Sequence, residues 1–258
     1  MCQLISPILL QLIFLSCNGI PDFSSAEKNT EQISIINPYK QIKTIPLPEG
    51  YNRITGDSES FKTYLRNVGL KEDKIVYLYN GHPKHNQTAQ FALLNISTGN
   101  RDLQQCADAV MRLRAENLFA QKQFDQIIFY DNNKTAYRFL PPFTKENLSK
   151  YLNRVFGMCG SASLAKQLKP VTDFFDIEPG DVIIRGGFPG HAVIVMDVAE
   201  NADGKKIYLL AQSYMPAQDI HVLVNPANED LSPWYEVNED HIILTPEYSF
   251  TKNELMRW

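Results

Sequence analysis

The chain has 258 residues, 44% of them hydrophobic and 21% charged, with a formal net charge of −4. That length and balance suit a globular body with a sizeable core and exclude a disordered or fibrous chain. Lysines and arginines are scattered, with no basic run, which excludes nucleic acid as a partner.

Residues 4–15 form an apolar run of signal-peptide length, too short to span a bilayer. The run ends in Phe14-Leu15-Ser16-Cys17, which resembles a bacterial lipobox, with Cys17 as the lipidated first residue of the mature chain. Phe14 stands where Leu is usual, and the start Met1-Cys2-Gln3 lacks the positive charge of an export signal. The expectation is a signal peptide over 1–17 and a polar, aperiodic tether over 18–44. The protein is therefore expected to be exported and membrane-anchored through Cys17, as a periplasm-facing lipoprotein of the bacterial cell envelope. Beyond the leader only Cys106 and Cys159 remain, too few for a disulfide framework, although an oxidising compartment permits one bridge between them.

From Pro46 onward the pattern becomes that of folded structure. Helical spacing over 58–68 (Phe61, Tyr64, Leu65, Val68) is closed by Gly69. Strands are predicted over 74–79 and 91–96, separated by the polar loop 81–90. Asp102 looks like an N-cap for the strongest helix, 103–119, whose stripe is Cys106, Ala109, Val110, Leu113 and Asn117, with Arg112, Arg114 and Glu116 off it. A hairpin over 126–139 turns at Asp131-Asn132-Asn133-Lys134, and helices follow over 146–156 and 163–168. The rest is strand-rich: 182–184, 191–198, 207–213, 220–224 and 241–244, with 225–258 as a wrapping segment. Helices first and antiparallel strands later make an α+β pattern. A single domain over 45–258 is expected, divided into an N-terminal α/β extension (45–100) and a core (101–258).

The chemistry concentrates on Cys106 and His191. A cysteine nucleophile needs a favoured thiolate, a base for the proton and donors for an oxyanion. Cys106 falls in the first turn of its helix, where the dipole favours negative charge. His191 follows Gly186-Gly187 and Pro189-Gly190 and leads a strand apolar on both faces, so an imidazole is being carried into the interior. Gln105 or Gln104, with the Cys106 N–H, is the expected oxyanion donor, and Gly190, Ser213 and Tyr214 are expected substrate contacts. Gln212 is the chosen orienter of His191. A two-residue turn at Asp203-Gly204 would face it with Val195, leaving it roughly 13 Å along the strand from His191 at about 3.3 Å per residue. A longer loop or a bulge would close that gap; Ser213, Tyr214 and Gln218 are the alternatives.

Other motifs carry less. His82 and His85 have a metal-like spacing, but without a companion Cys or carboxylate motif they read as loop, so no metal and no cofactor are expected. Glycines 186, 187 and 190 precede a strand and no Lys-Ser or Lys-Thr, unlike a phosphate loop. His221 and His241 read as core or edge histidines, Asp197 as an ion-pair partner, and Trp234 and Tyr235 as core cover.

The order Gln-Gln-Cys at a helix start, then Pro179-Gly-Asp-Val182, then Gly190-His-Ala-Val-Ile-Val195, then Ala211-Gln-Ser-Tyr214 resembles the papain-like NlpC/P60 and CHAP amidases and endopeptidases. That resemblance implies a papain-like core in which Cys, His and a third polar residue cut amide bonds of cell-wall peptides. Ala211 departs from the CHAP pattern, which has an acidic residue there. Over most of 51–258 the chain is similar to an uncharacterised family of mostly Bacteroides-type lipoproteins, the domain of unknown function family numbered 4846. The blocks that carry this likeness start at Asp102, Pro179, Gly186, Leu210 and Ser232. The implied function is a cysteine hydrolase acting on peptidoglycan or a peptide-like amide through Cys106, His191 and Gln212. A non-catalytic binding lipoprotein and a thiol acyltransferase using the same residues remain open.

Overall fold

The computed structural model describes residues 36–258 apart from position 59. The expected signal peptide, the lipidation at Cys17 and most of the expected tether lie outside the described residues. Residues Ser34–Trp258 form one compact unit. Its four helices are α1 (Phe61–Asn67), α2 (Cys106–Ala120), α3 (Lys145–Met158) and α4 (Ser161–Gln167). Its strands are β1 (Tyr51–Arg53), β2 (Gln90–Leu93), β3 (Ile128–Tyr130), β4 (Ala136–Arg138), β5 (Lys169–Pro170), β6 (Val182–Arg185), β7 (His191–Asn201), β8 (Lys206–Gln212), β9 (His221–Leu223), β10 (Tyr235–Glu236), β11 (Ile242–Leu244), β12 (Ser249–Thr251) and β13 (Leu255–Arg257). No helix among the described residues is long and apolar enough to cross a membrane.

Nine strands form an antiparallel sheet in the order β2-β9-β8-β7-β6-β13-β5, with β1 on β7 and β10 on β8. The α+β class is what the chain adopts. β7 is buried from its first residue to Ala199, because each of its faces meets a core. Ala192, Ile194 and Met196 pack with α2, whose Ala109, Val110 and Leu113 face them, while Val193 and Val195 pack with Phe174, Leu210 and Phe250 on the other side.

The N-terminal part does not stand apart from the core, since β1 pairs with β7 and β2 with β9. Folded structure also begins ahead of residue 45. Asn37 is buried and donates to the Lys71 carbonyl at 2.9 Å, and Ile42 is fully buried, so 36–44, expected to be part of the tether, belongs to the body. Asp197, at 0% exposure, accepts from Arg53 Nε at 2.6 Å and Arg66 Nε at 2.5 Å, pinning β1 and α1 onto the middle of β7. The expected strand 74–79 is a connection that meets its neighbours only at single bridges, Tyr77 to Pro83 and Leu78 to Gln218. The expected β3–β4 hairpin is present, and Asp131 Oδ1 holds its turn by accepting from the backbone of Asn133 and Thr135.

Candidate functional site

α2 begins later than its sequence suggests. Gln105 is the N-cap, and its backbone N–H donates to Asp108 Oδ2 at 3.0 Å, so Cys106 occupies the first helical position. Asp102 is not the cap because its carboxylate is taken elsewhere: Oδ1 accepts from the Ala217 N–H at 2.7 Å and from Gln105 Nε2 at 3.1 Å. The start of α2 is thereby tied to the loop that follows β8.

Cys106 is half-buried, and both it and the buried Cys159 are free thiols, so no bridge joins them. Burial pushes the Cys106 thiol up to about 11. The Ala107 N–H opposes that rise, the Asp108 carboxyl adds to it, and the N–H groups of Ala192 and of Cys106 itself oppose it. The sulfur therefore lies against the peptide that directly follows His191.

His191 heads β7 at 1% exposure, on the face of Val193 opposite α2. The turn that delivers it needs glycine at 190, where a Cβ would come within 2.3 Å of the Gly187 carbonyl and 2.8 Å of the Arg185 carbonyl. The imidazole is packed among Tyr214, Tyr248 and Phe250, with ring centroids at 4.5, 5.1 and 5.8 Å. Burial lowers its pKa to about 4.

Gln212 reaches the ring. The β7–β8 register slips between Val195 and Asp197, so Val195 faces Leu210 and Ile194 faces Ala211. Gln212, the next residue after Ala211, falls on the side of the sheet that carries His191. Its Oε1 lies 2.8 Å from His191 Nε2. Its Nε2 donates to Glu247 Oε2 at 2.9 Å and lies 3.4 Å from His221 Nε2. His221 Nδ1 sits 2.9 Å from the Asp219 carbonyl, which can only accept, so His221 Nε2 is the acceptor for Gln212. With both amide hydrogens committed, Gln212 offers its oxygen to His191, and His191 Nε2 must carry the proton. Among the described residues, His191 Nδ1 has no hydrogen-bond partner, and no hydrogen bond joins it to the Cys106 sulfur.

Glu247 is in turn held by Lys84 Nζ at 2.5 Å and Asn86 Nδ2 at 3.0 Å. Burial works against its charge, but the Lys84 ammonium and the Asn86 amide keep its carboxyl below the ordinary value. Sequence reasoning missed Glu247, Lys84 and Asn86, which sit in loops with no local motif.

The other predicted residues divide. Tyr214 lies beside both members of the pair; its hydroxyl pKa is raised by burial, then by Glu247, then by Cys106. Ser213 is fully buried, with Oγ 2.9 Å from the carbonyls of Gln104 and Gln218, and it stitches the loops together. The Gln105 side-chain amide is engaged by Asp102. His82 and His85 lie in an exposed loop, and among the described residues no group of three or more His, Cys, Asp or Glu is placed to hold a metal ion.

The arrangement brings together a half-buried thiol, an imidazole of one defined tautomer and a chain of side chains that fixes the tautomer. No curated protein and no solved structure matches the chain. A family model does match, over residues 42–141 and 140–257, and the chain belongs to the family described as Domain of unknown function (4846).

Proposed function

We propose that the chain is a thiol-dependent amide hydrolase on a papain-like scaffold, with Cys106 as nucleophile, His191 as base and Gln212 as orienter. The observation that carries this reading is the 2.8 Å contact between His191 Nε2 and Gln212 Oε1, which leaves Nδ1 unpartnered on the residue whose following N–H meets the Cys106 sulfur. Because the thiol and the imidazole are both neutral at rest, proton transfer accompanies attack. His191 Nδ1 takes the thiol proton as the sulfur bonds to the amide carbonyl carbon, and the oxygen takes up the negative charge beside the Cys106 N–H. The tetrahedral adduct collapses, the C–N bond breaks, and the imidazolium gives its proton to the departing amine. Water, deprotonated by His191, then attacks the thioester carbon; the C–S bond breaks, the acid leaves and the imidazolium returns its proton to the Cys106 sulfur.

The motif blocks support a peptidoglycan stem peptide or a similar peptide-like amide as substrate. The N-terminal sequence supports export and anchoring of the protein in the cell envelope through a lipid on Cys17.

A second reading, a binding lipoprotein without turnover, is favoured by the high pKa of the thiol and by the lack of a direct bond from its sulfur to the His191 ring. Alkylation by an iodoacetamide probe at pH 7, read by mass spectrometry, separates the two. The hydrolase reading expects the wild type to label faster than His191→Ala and to release fragments from a muropeptide digest that Cys106→Ser does not. Equal labelling together with no fragments would leave the binding reading.

A further inference from the structure

A cavity of about 840 Å³ opens between α2, α3 and the loop 97–104, and neither Cys106 nor His191 lines it. Its volume lies in the range of small-molecule sites. From α2 it takes Arg112, Glu116 and Phe119, residues off the stripe that packs on β7.

Gln104, 1% exposed, forms part of the wall. Its Oε1 accepts from Arg112 Nη1, an arrangement that fixes the amide, because a flip would set two donors against each other. Its Nε2 has no acceptor. A buried donor without an oxygen therefore sits beside the cavity.

The unpaired charges around the cavity have one sign. Arg101, Lys122 and Lys145 line it without an ion-pair partner among the described residues. Its carboxylate, Glu116, is already matched by Arg112 at 2.8 Å and by the Tyr64 hydroxyl at 3.2 Å. An aromatic patch completes the lining: Phe124 stacks on Phe143 at 4.3 Å and meets Phe119 at 5.3 Å.

We infer that this cavity binds a carboxylate carrying an apolar chain, its oxygens satisfying Gln104 and its charge facing the three cations, with the chain against the phenylalanines. Two sources share that chemistry, a fatty carboxylate and an N-acyl amino acid. The site does not depend on the hydrolase reading, so it is tested in the Cys106→Ala full chain.

Isothermal titration below micellar concentrations would use decanoate, N-decanoylglycine, decanol and decyltrimethylammonium. Expected is saturable one-to-one binding of at least one carboxylate, at least tenfold weaker binding of the alcohol, and none of the cation. Reversing the charge of two exposed residues, Lys122→Glu with Lys145→Glu, should weaken carboxylate binding at least tenfold, with a circular dichroism spectrum unchanged. Whichever carboxylate binds more tightly names the source. The inference is overturned if neither carboxylate saturates, if alcohol or cation binds equally well, or if charge reversal leaves affinity unchanged.

Discussion

Gln212 Oε1 lies 2.8 Å from His191 Nε2, and this contact decides which imidazole nitrogen is free to act as a base. An amide oxygen holds the ring without changing its charge, and burial keeps its pKa at about 4, below the ordinary histidine value. On the proposed hydrolase reading, the acid limb of kcat/KM should therefore fall near pH 4. Gln212→Glu sets a carboxylate beside the ring, which favours the imidazolium, and should move that limb upward toward neutral pH. Gln212→Ala frees the ring and should cost on the order of 10²-fold in kcat. A pH–rate profile of the three proteins checks this; an acid limb that stays put in Gln212→Glu would remove Gln212 from the mechanism.

Asp108 gives the fold a pH dependence of its own. Burial pushes its carboxyl up to about 8, against the pull of the Gln105 N–H, and its second oxygen has no partner. A carboxyl with a raised folded pKa contributes stability that is complete below its unfolded value and lost as pH rises through the folded one. The wild-type Tm should accordingly fall between pH 6 and 9. Asp108→Asn keeps an acceptor for Gln105 and cannot ionise, so its Tm should be flat over the same range and higher than wild type at pH 9. Thermal scans monitored by circular dichroism measure both curves.

Asp197 tests how β1 and α1 are held. Its carboxylate is fully buried between Arg53 and Arg66, and removing it strands two guanidinium groups against β7. Asp197→Ala should destabilise the fold by about 3–5 kcal/mol, the usual cost of breaking a buried pair from one side. Urea unfolding gives the value, and a loss under 1 kcal/mol would show that solvent reaches the arginines.

Two glycines should respond in opposite directions. Gly190→Ala forces a Cβ against the Gly187 and Arg185 carbonyls, backbone atoms that cannot swing aside, and should destabilise the protein by about 2 kcal/mol or more while displacing His191. Gly157, in α3, has nothing within 4 Å of the place an alanine methyl would take, so Gly157→Ala should add roughly 0.5–1 kcal/mol by restricting the unfolded chain. Paired denaturation curves would expose any reversal of that order.

Much of this protein is legible in the residues alone. The stripe of α2, the double-faced apolar run of β7 and the Asp131 turn are local patterns, and repeat periods report which faces are buried whatever the partner is. Cys106, His191 and Gln212 stand out by local context too, and the motif blocks point to the family. What the sequence could not supply depends on chain segments far apart. Asp102 reads as a cap until the Ala217 N–H, 115 residues away, claims its carboxylate and moves the helix start to Gln105. Tyr39, counted with the tether, stacks on Phe91 at 5.7 Å once β2 is in place. The register slip past Val195 decides whether Gln212 meets His191 at all, because a pleated strand keeps its faces under a simple alternation rule but not its alignment with a neighbour. Glu247 and Lys84 have no spacing signal, since a buried amide needs donors and acceptors wherever the closed fold brings them, and only that closure selects which residues they are.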